Sequence, residues 1–318
     1  MAGAVNPNED LRNRALAAMV VADPASVKLL QQIQKIALVE STVLIQGESG
    51  VGKDLVASLL HYLGPKPEQP LLKIDCASLP TELLESELFG YERGAFTGAS
   101  QMKRGRLELA GQGAVILDEV SSLTMPMQAK MLRVIQERTF DRLGGTRPVS
   151  LKARVIAISN VDLEDAVARR SFREDLYYRL NVVPLHISPL RDRSGDVLPI
   201  ANILLQRFSA TYHRPQLRLS VDAKEALQSY SFPGNVRELR NLLERAVIHS
   251  AGDELEVSDL PANIRNGAAK VKRPSLEEME RTYIAEILDY TRGKKSKAAE
   301  ILGISRKNLL EKRKKYDL

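Results

Sequence analysis

The chain has 318 residues, 44% apolar and 27% charged, which suits an ordinary globular protein of about two domains. One cysteine excludes an intramolecular disulfide and a cysteine-based zinc site. No apolar run approaches the roughly 18 residues of a membrane span, and the polar N-terminus excludes a signal peptide, so a cytoplasmic protein without a membrane partner is expected. The net charge of +6 resides in the last sixth of the chain: residues 265–318 carry 15 basic against 8 acidic side chains, and the other 264 carry 31 against 32.

Residues 1–22 hold an Asn-Pro pair and a short apolar helical stretch at 11–21, too little for a domain. From residue 23 strand and helix patterns alternate. Residues 25–38 have helical spacing, 41–45 (STVLI) form a β-rich run, 54–63 return to helix, and 71–74 read as a short strand. Cys76 follows, with inert packing as its expected role. Residues 114–117 (AVIL) and 153–159 (ARVIAIS) are continuous apolar runs, as for strands buried on both faces, with a helix at 127–138 between them. This alternation predicts an α/β domain with a mostly parallel sheet over residues 23–190. Beyond it the strand signal fades. Residues 196–212, 220–230 and 236–250 read as helices separated by Pro and Gly, predicting an all-helical region at 191–265. Residues 266–274 (NGAAKVKRP) have no apolar period and read as a linker. A last helical unit fills 275–318, opening on a capping box at 275–278 (SLEE).

Residues 47–54 (GESGVGKD) lie between a predicted strand and a predicted helix. They fit the phosphate-binding template G-x-x-x-x-G-K-[ST] up to its last position. Glycines let the backbone wrap a phosphate, and the amides of Gly47, Glu48, Ser49, Gly50, Val51 and Gly52, with the helix N-terminus, supply positive dipole. Lys53 would reach the β and γ phosphates. Asp54 stands where the template has a hydroxyl that helps hold Mg²⁺, which keeps a simple Gly-rich turn as the alternative. Residues 114–119 (AVILDE) supply the second half. A buried strand delivers Asp118 to its C-terminal end, where α/β sheets bind ligands. Asp118 would hold Mg²⁺, directly or through water, and Glu119 would orient or deprotonate the attacking water. Otherwise the two form a helix-capping acidic pair. Phosphoryl transfer rests on positioning and charge neutralisation more than on covalent chemistry.

Residues 87–99 (ELFGYERGAFTGA) form a loop of small residues with one aromatic at its tip. On residue chemistry alone a hairpin turn with a half-buried Phe is the plainer reading. With this segment the chain resembles the bacterial enhancer-binding proteins, the AAA+ activators of sigma-54 RNA polymerase. The resemblance spans residues 23–318 through six motifs in family order: GESGVGKD, ELFGYERGAFTGA, VILDE, FREDLYYRLNVV, PGNVREL and SKAAEILGISRKNL. It implies ATP and Mg²⁺ as ligands of a AAA+ P-loop domain, followed by a helical lid and a small all-α Fis-type helix-turn-helix domain. It further implies that Gly94, Ala95, Phe96, Thr97, Gly98 and Ala99 engage sigma-54, with Phe96 and Thr97 at the contact. Asn160 resembles the sensor of the γ-phosphate. Arg173 and Arg179 resemble the arginine fingers that reach a neighbouring subunit's nucleotide, and Arg237 the second sensor on the lid. Arg173 and Arg179 could also simply pair with Glu174 and Asp175. Asp75 stands where the family usually has an Asn that holds the catalytic glutamate. Asp75 and Glu119 would then crowd two carboxylates together and leave Glu119 less firmly held.

The basic end reads as three helices, 276–290, 297–302 and 305–316, the last two joined by a turn at Gly303, which is the helix-turn-helix pattern. Ser305 would cap the third helix and place Arg306, Lys307 and Asn308 at the end that enters the major groove. Lys294, Lys295, Lys312, Lys314 and Lys315 suit DNA phosphates, and Lys297 is a further DNA-binding candidate. A solvated basic three-helix end is the alternative. The resemblance implies enhancer DNA, sigma-54 RNA polymerase holoenzyme and further copies of the chain, from a dimer to a hexameric ring, as partners. Family members usually begin with a regulatory domain, whereas about 22 residues precede the ATPase region here. Either a trans-acting regulator or the protein's own abundance controls it, or the sequence is a fragment. The expected function is ATP-driven opening of sigma-54 promoter complexes. The alternatives are a DNA-binding regulator with a non-motor ATPase and a general AAA+ remodeller.

Overall fold

The computed structural model describes residues 7–214, 217–250, 252–269, 276–291 and 295–316. They fall into two compact units, residues 1–264 and 265–318. The larger unit is built on five parallel strands: β1 (Val43–Gln46), β2 (Leu71–Asp75), β3 (Ala114–Asp118), β4 (Arg154–Ser159) and β5 (Val183–His186), in the order β2-β3-β4-β1-β5. The first four sit where the apolar runs predict them. Strand β5 has no such signal, because Pro184 interrupts it; a proline fits there because β5 is an edge strand.

Successive side chains of a strand point to opposite faces, and the core divides accordingly. Leu44, Val115, Leu117, Val155 and Ala157 face one hydrophobic cluster, while Val43, Ile45, Ala114, Ile116, Ile156 and Ile158 face the other. Helices cover the second face: α1 (Pro7–Ala18), α2 (Pro24–Ala37) and α3 (Lys53–Tyr62). Helix α1 is no loose appendage, since Ala15, Leu16 and Met19 pack on this cluster. The first face is covered by α4 (Thr81–Phe89), α5 (Met125–Glu137) and α6 (Glu174–Leu180). Both faces being covered explains why the strands read as unbroken apolar runs. The chain leaves β1 for β2 at one edge, returns through β3 and β4, and then crosses to β5 on the other side of β1. The C-terminal end of β1 therefore lies at a topological switch point.

The helical lid follows with α7 (Val197–Thr211), α8 (Val221–Ser229), α9 (Asn235–His249) and α10 (Ala262–Ala269). It is helical apart from a pair of two-residue parallel strands, Arg218–Leu219 with Glu254–Leu255. The stretch read as a linker is partly helix, since residues 266–269 complete α10. Residues 270–275 lie outside the described residues, and with them the expected capping box.

The second unit comprises α11 (Leu276–Tyr290), α12 (Lys295–Ile301) and α13 (Arg306–Tyr316), packed around Ile284, Ala298, Ala299, Leu309 and Tyr316. Gly303 has φ 65° in the turn between α12 and α13, a conformation open to glycine at little cost.

Candidate functional site

The P-loop leaves β1 and enters α3. Gly47, Gly50 and Gly52 have φ of 155°, 79° and 108°. At Gly50 space is also decisive, because a Cβ there would lie 2.4 Å from the carbonyl oxygen of Gly234 in the lid. The lid grips the loop through a set of hydrogen bonds. Val236 donates its amide to the Gly50 carbonyl (3.0 Å). Asn235 Nδ2 donates to the Ser49 carbonyl (3.0 Å) and to Glu48 Oε2 (3.1 Å), and Arg237 Nη1 donates to Ser49 Oγ (2.7 Å). Arg191 forks the Glu48 carboxylate at 2.6 and 2.9 Å. That fork, with Asn235, holds the Glu48 carboxyl down to about 2 from its ordinary 4.5. Buried Arg193 donates to the Val51 carbonyl (2.7 Å) and also meets the fully buried Asp196. The Asp196 carboxylate in turn accepts the amides of Ala22 and Asp23 and the Ser26 hydroxyl. The loop is thus shaped by the lid and by the start of α2 as well as by its own glycines.

Lys53 heads α3, and its ammonium donates to the carbonyls of Gly47 (2.7 Å) and Glu48 (2.9 Å). Burial pushes its pKa below the usual lysine value, against the attraction of Asp118, Asp54 and Glu119. Asp118 ends β3. One of its oxygens accepts the amide of Glu119 (3.0 Å), and the other pairs with Lys73 Nζ (2.7 Å). Glu119 has φ 53°, uncommon for a residue other than glycine. Its carboxylate accepts from Asn160 Nδ2 (3.3 Å), just past the end of β4. Ser49, Lys53, Asp118, Glu119 and Asn160 line a cavity of about 250 Å³, closed on the lid side by Val236, Arg237 and Arg240. Backbone amides, a lysine and oxygen-only acidic groups at one cavity fit a polyphosphate with a hard divalent cation such as Mg²⁺.

Asp75 and Glu119, expected to crowd together, take separate partners here. Asp75 Oδ1 accepts the amide of Ala77 (2.9 Å). The Glu119 carboxylate bonds to Asn160 beyond β4, while β2 lies on the other side of β3. Asn160 therefore holds the glutamate. Cys76 is buried as expected, and burial with the charges of Asp75, Asp118 and Glu119 pushes its thiol up to about 12, so it is inert at neutral pH. Lys73, Arg191, Arg193 and Asn235 escaped the sequence reading. Only Lys73 had a usable signal, lying two residues before Asp75 on the strand predicted at 71–74 and so on the same strand face.

Arg173 forks Asp175 at 3.0 and 2.7 Å, the plain pairing alternative, and both side chains are exposed. Arg179 is exposed and forms no ion pair among the described residues.

The glycine-rich loop 94–99 projects between a short pair of strands, Gly90–Tyr91 and Lys103–Arg104. Gly94 donates its amide to the Ala99 carbonyl (2.8 Å), closing the loop, and Ala99 is buried. Phe96 is 47% exposed and Thr97 is exposed. The Phe96 ring packs in a T-shaped arrangement with Tyr91, centroids 4.9 Å apart. The base of the loop is fastened to the neighbouring hairpin. Glu92 donates its amide to the Leu143 carbonyl (3.0 Å), and Arg142 binds Glu92 (2.6 Å) and Glu108 (2.9 Å) together. These two carboxylates hold the Arg142 guanidinium above its usual range.

In the smaller unit Ser305 Oγ accepts the amide of Asn308 (3.1 Å), the cap expected at the start of α13. Arg306, Lys307, Asn308 and Lys297 are exposed, as are Lys295, Lys314 and Lys315. Lys312 is placed differently from its expected phosphate role. It is half-buried and pairs with Glu280 on α11 (2.6 Å), which also accepts the Tyr316 hydroxyl (2.6 Å). Lys312 and Tyr316 tie α13 to α11 there. Lys294 lies outside the described residues.

Comparison with known proteins matches these three parts. Residues 19–186 match the Sigma-54 interaction domain, residues 191–276 the AAA+ ATPase lid domain, and residues 275–316 the Bacterial regulatory protein, Fis family. The chain belongs to the sigma-54-dependent transcriptional regulators. Regulatory protein AtoC of Escherichia coli is 41% identical over 307 residues, covering 93% of this chain and 67% of AtoC. Nitrogen fixation protein AnfA of Azotobacter vinelandii is 42% identical over 297 residues, covering 92% of this chain and 56% of AnfA. The chain thus spans from about half to two thirds of the length of these relatives. The crystal structure of NtrX from Brucella abortus in complex with ATP superposes with a TM-score of 0.71 at 32% identity, covering 98% of this chain and 73% of NtrX. The family's AAA+ ATPase-type domain is therefore the five-stranded unit with its lid, and its Fis-type domain is α11 to α13. No helix among the described residues is long and apolar enough to cross a membrane.

Proposed function

We propose that the chain is an ATP-hydrolysing activator that opens sigma-54 promoter complexes from enhancer DNA. The observation that carries the proposal is the cavity where Lys53, Asp118, Glu119 and Asn160 meet Arg237 of the lid. NtrX, a structural relative, binds ATP. In this reading the P-loop amides and Lys53 take the phosphates, and Lys53 gives up its bonds to the Gly47 and Glu48 carbonyls to do so. Asp118 holds Mg²⁺, which neutralises phosphate charge when bound. Glu119, positioned by Asn160, orients and deprotonates the attacking water. Asn160 and Arg237 sense the terminal phosphate from the sheet and from the lid.

The copies assemble as a ring, up to a hexamer, so that Arg173 and Arg179 of one subunit complete the next subunit's site. Arg179 is free for this, and Arg173 must leave Asp175. Hydrolysis moves residues 94–99 against sigma-54 through Phe96 and Thr97. The loop's exposed tip and anchored base suit a part that transmits force. Arg306, Lys307 and Asn308 read base edges, while Lys297, Lys295 and Lys314 bind phosphates.

ATP hydrolysis by the purified protein tests the proposal. Glu119→Gln should lower turnover by roughly 100-fold or more while nucleotide still binds. Arg179→Ala should lower it by about 10³-fold or more, far beyond any surface ion pair. A wild-type protein that neither binds nor hydrolyses ATP would overturn it.

A further inference from the structure

Lys53 donates its hydrogen bonds to its own loop's carbonyls and attracts the acidic wall opposite without bonding to it. The cation bonded to that wall is Lys73 on β2. Its ammonium lies 2.5 Å from Asp54 Oδ1 and 2.7 Å from Asp118 Oδ2. Asp54 follows the P-loop lysine, at the position where a hydroxyl would help hold a metal. Asp118 is the expected metal carboxylate. Of its two oxygens, Oδ1 is taken by the Glu119 amide and Oδ2 by Lys73. A cation that coordinates Oδ2 directly would meet Lys73 there.

Without Lys73 the two carboxylates would face each other across the mouth of the cavity with no cation bonded to both. Asp118 is only 18% exposed, so water screens that repulsion less than at an open surface. The strand register fixes the arrangement. Asp75 pairs with Asp118 and Lys73 with Ile116 across β2 and β3, so Lys73 rises from one position back along the same face.

We propose that Lys73 is a positioning residue that stands in for the divalent cation, holding Asp54 and Asp118 in place before metal arrives and competing with it for Asp118. The inference rests on the reading of this cavity as a Mg²⁺–ATP site. A compact, flexible ammonium suits such a role, since it can swing off Asp118 while staying on Asp54. The divalent ion then has to displace one bond of Lys73, and Lys73 sets how much Mg²⁺ the site requires.

The test is Mg²⁺ titration of nucleotide binding, with a fluorescent, slowly hydrolysed ATP analogue and the full-length chain. Direct Mn²⁺ binding without nucleotide, read by electron paramagnetic resonance, accompanies it. Lys73→Met should bind the cation more tightly, with the half-saturating Mg²⁺ and Mn²⁺ concentrations falling about three- to tenfold, the scale of losing one partly screened ion pair. In the absence of metal the same variant should bind the analogue several-fold more weakly than wild type, having lost a cation near the phosphates. Lys73→Arg keeps the bridge and should restore values near wild type. A thermal melt of Lys73→Met confirms that the chain folds; if it does not, Asp54→Asn, which releases one arm of the bridge, should shift the Mn²⁺ midpoint in place of Lys73→Met. Wild type that binds analogue with a Mg²⁺ midpoint unmoved or raised in Lys73→Met would overturn the stand-in role alone. Wild type that binds no analogue at any Mg²⁺ concentration would remove the nucleotide reading and this inference with it.

Discussion

The P-loop and the tip loop at residues 94–99 both hold glycines with left-handed φ, yet their surroundings differ. In the P-loop, Gly50 lies against the carbonyl of Gly234, and Glu48, Ser49, Gly50 and Val51 each bond to a residue beyond the β1–α3 unit. At Gly94 and Gly98 a Cβ would meet nothing within 4 Å. The first loop needs glycine for close approach, and the second only for its backbone conformation. A fixed loop suits a site whose chemistry depends on preset amides. A loop anchored at its base and open at its tip suits a surface whose partner is another molecule.

The largest expected effect comes from closing the gap at the P-loop. Gly50→Ala forces a backbone clash and a strained φ together, and should cost about 2–4 kcal/mol of stability, with loss of ATP turnover. Denaturant unfolding and ATPase assays read both. If Gly50→Ala is tolerated, the lid does not hold the loop as described. Arg142→Ala comes next. It leaves Glu108, only 11% exposed, without its fork, and should cost about 1–3 kcal/mol. Proteolysis should then cut near residues 94–99 faster than in wild type, because the base of the tip loop is released. Gly94→Ala should cost only about 1 kcal/mol, the price of a left-handed φ in open space, and leave ATPase within about twofold of wild type. A loss as large as that of Gly50→Ala would erase the contrast between the loops.

The smallest effect is at Glu48. Its pair with Arg191 is exposed, so Glu48→Gln should lose under about 1 kcal/mol whatever the depth of the pKa depression. The folded-state pKa lies below the ordinary 4.5, at about 2. Stabilisation is therefore complete above about pH 4.5 and lost as pH falls toward 2. The difference in stability between wild type and Glu48→Gln should narrow across that window. A difference that widened on acidification would contradict the assigned pairing.

The two loops also differed in how readily they could be read. Glycines 47, 50 and 52, Lys53 and Asp118 form local patterns, and the buried runs around them are continuous because both sheet faces are covered. What could not be read depends on contacts far apart in sequence. Asn235 reaches Glu48 across 187 positions, and Arg193 reaches Val51 across 142. Lys73 reads as a solvated lysine until β2 is known to lie beside β3. Strand β5 was hidden by Pro184. Lys312 resembled one more basic side chain on a DNA-facing helix, and it pairs with Glu280 on α11 instead. The left-handed backbone of Glu119 and its bond to Asn160 are announced by no propensity.

In the proposed function, ATP turnover at the P-loop cavity is converted into work on sigma-54 by the tip loop. Promoter melting tests it most directly. The protein, Mg²⁺–ATP and sigma-54 holoenzyme are combined on a sigma-54 promoter with an upstream binding site, and unpaired thymines are footprinted for wild type and Thr97→Ala. Thr97 is exposed and its change should leave stability within about 0.5 kcal/mol. Unpaired thymines should form only with ATP and only with Thr97, while Thr97→Ala keeps its ATPase activity. Melting that persists in Thr97→Ala, or an ATPase that turns over at full rate without opening the promoter in wild type, would contradict it.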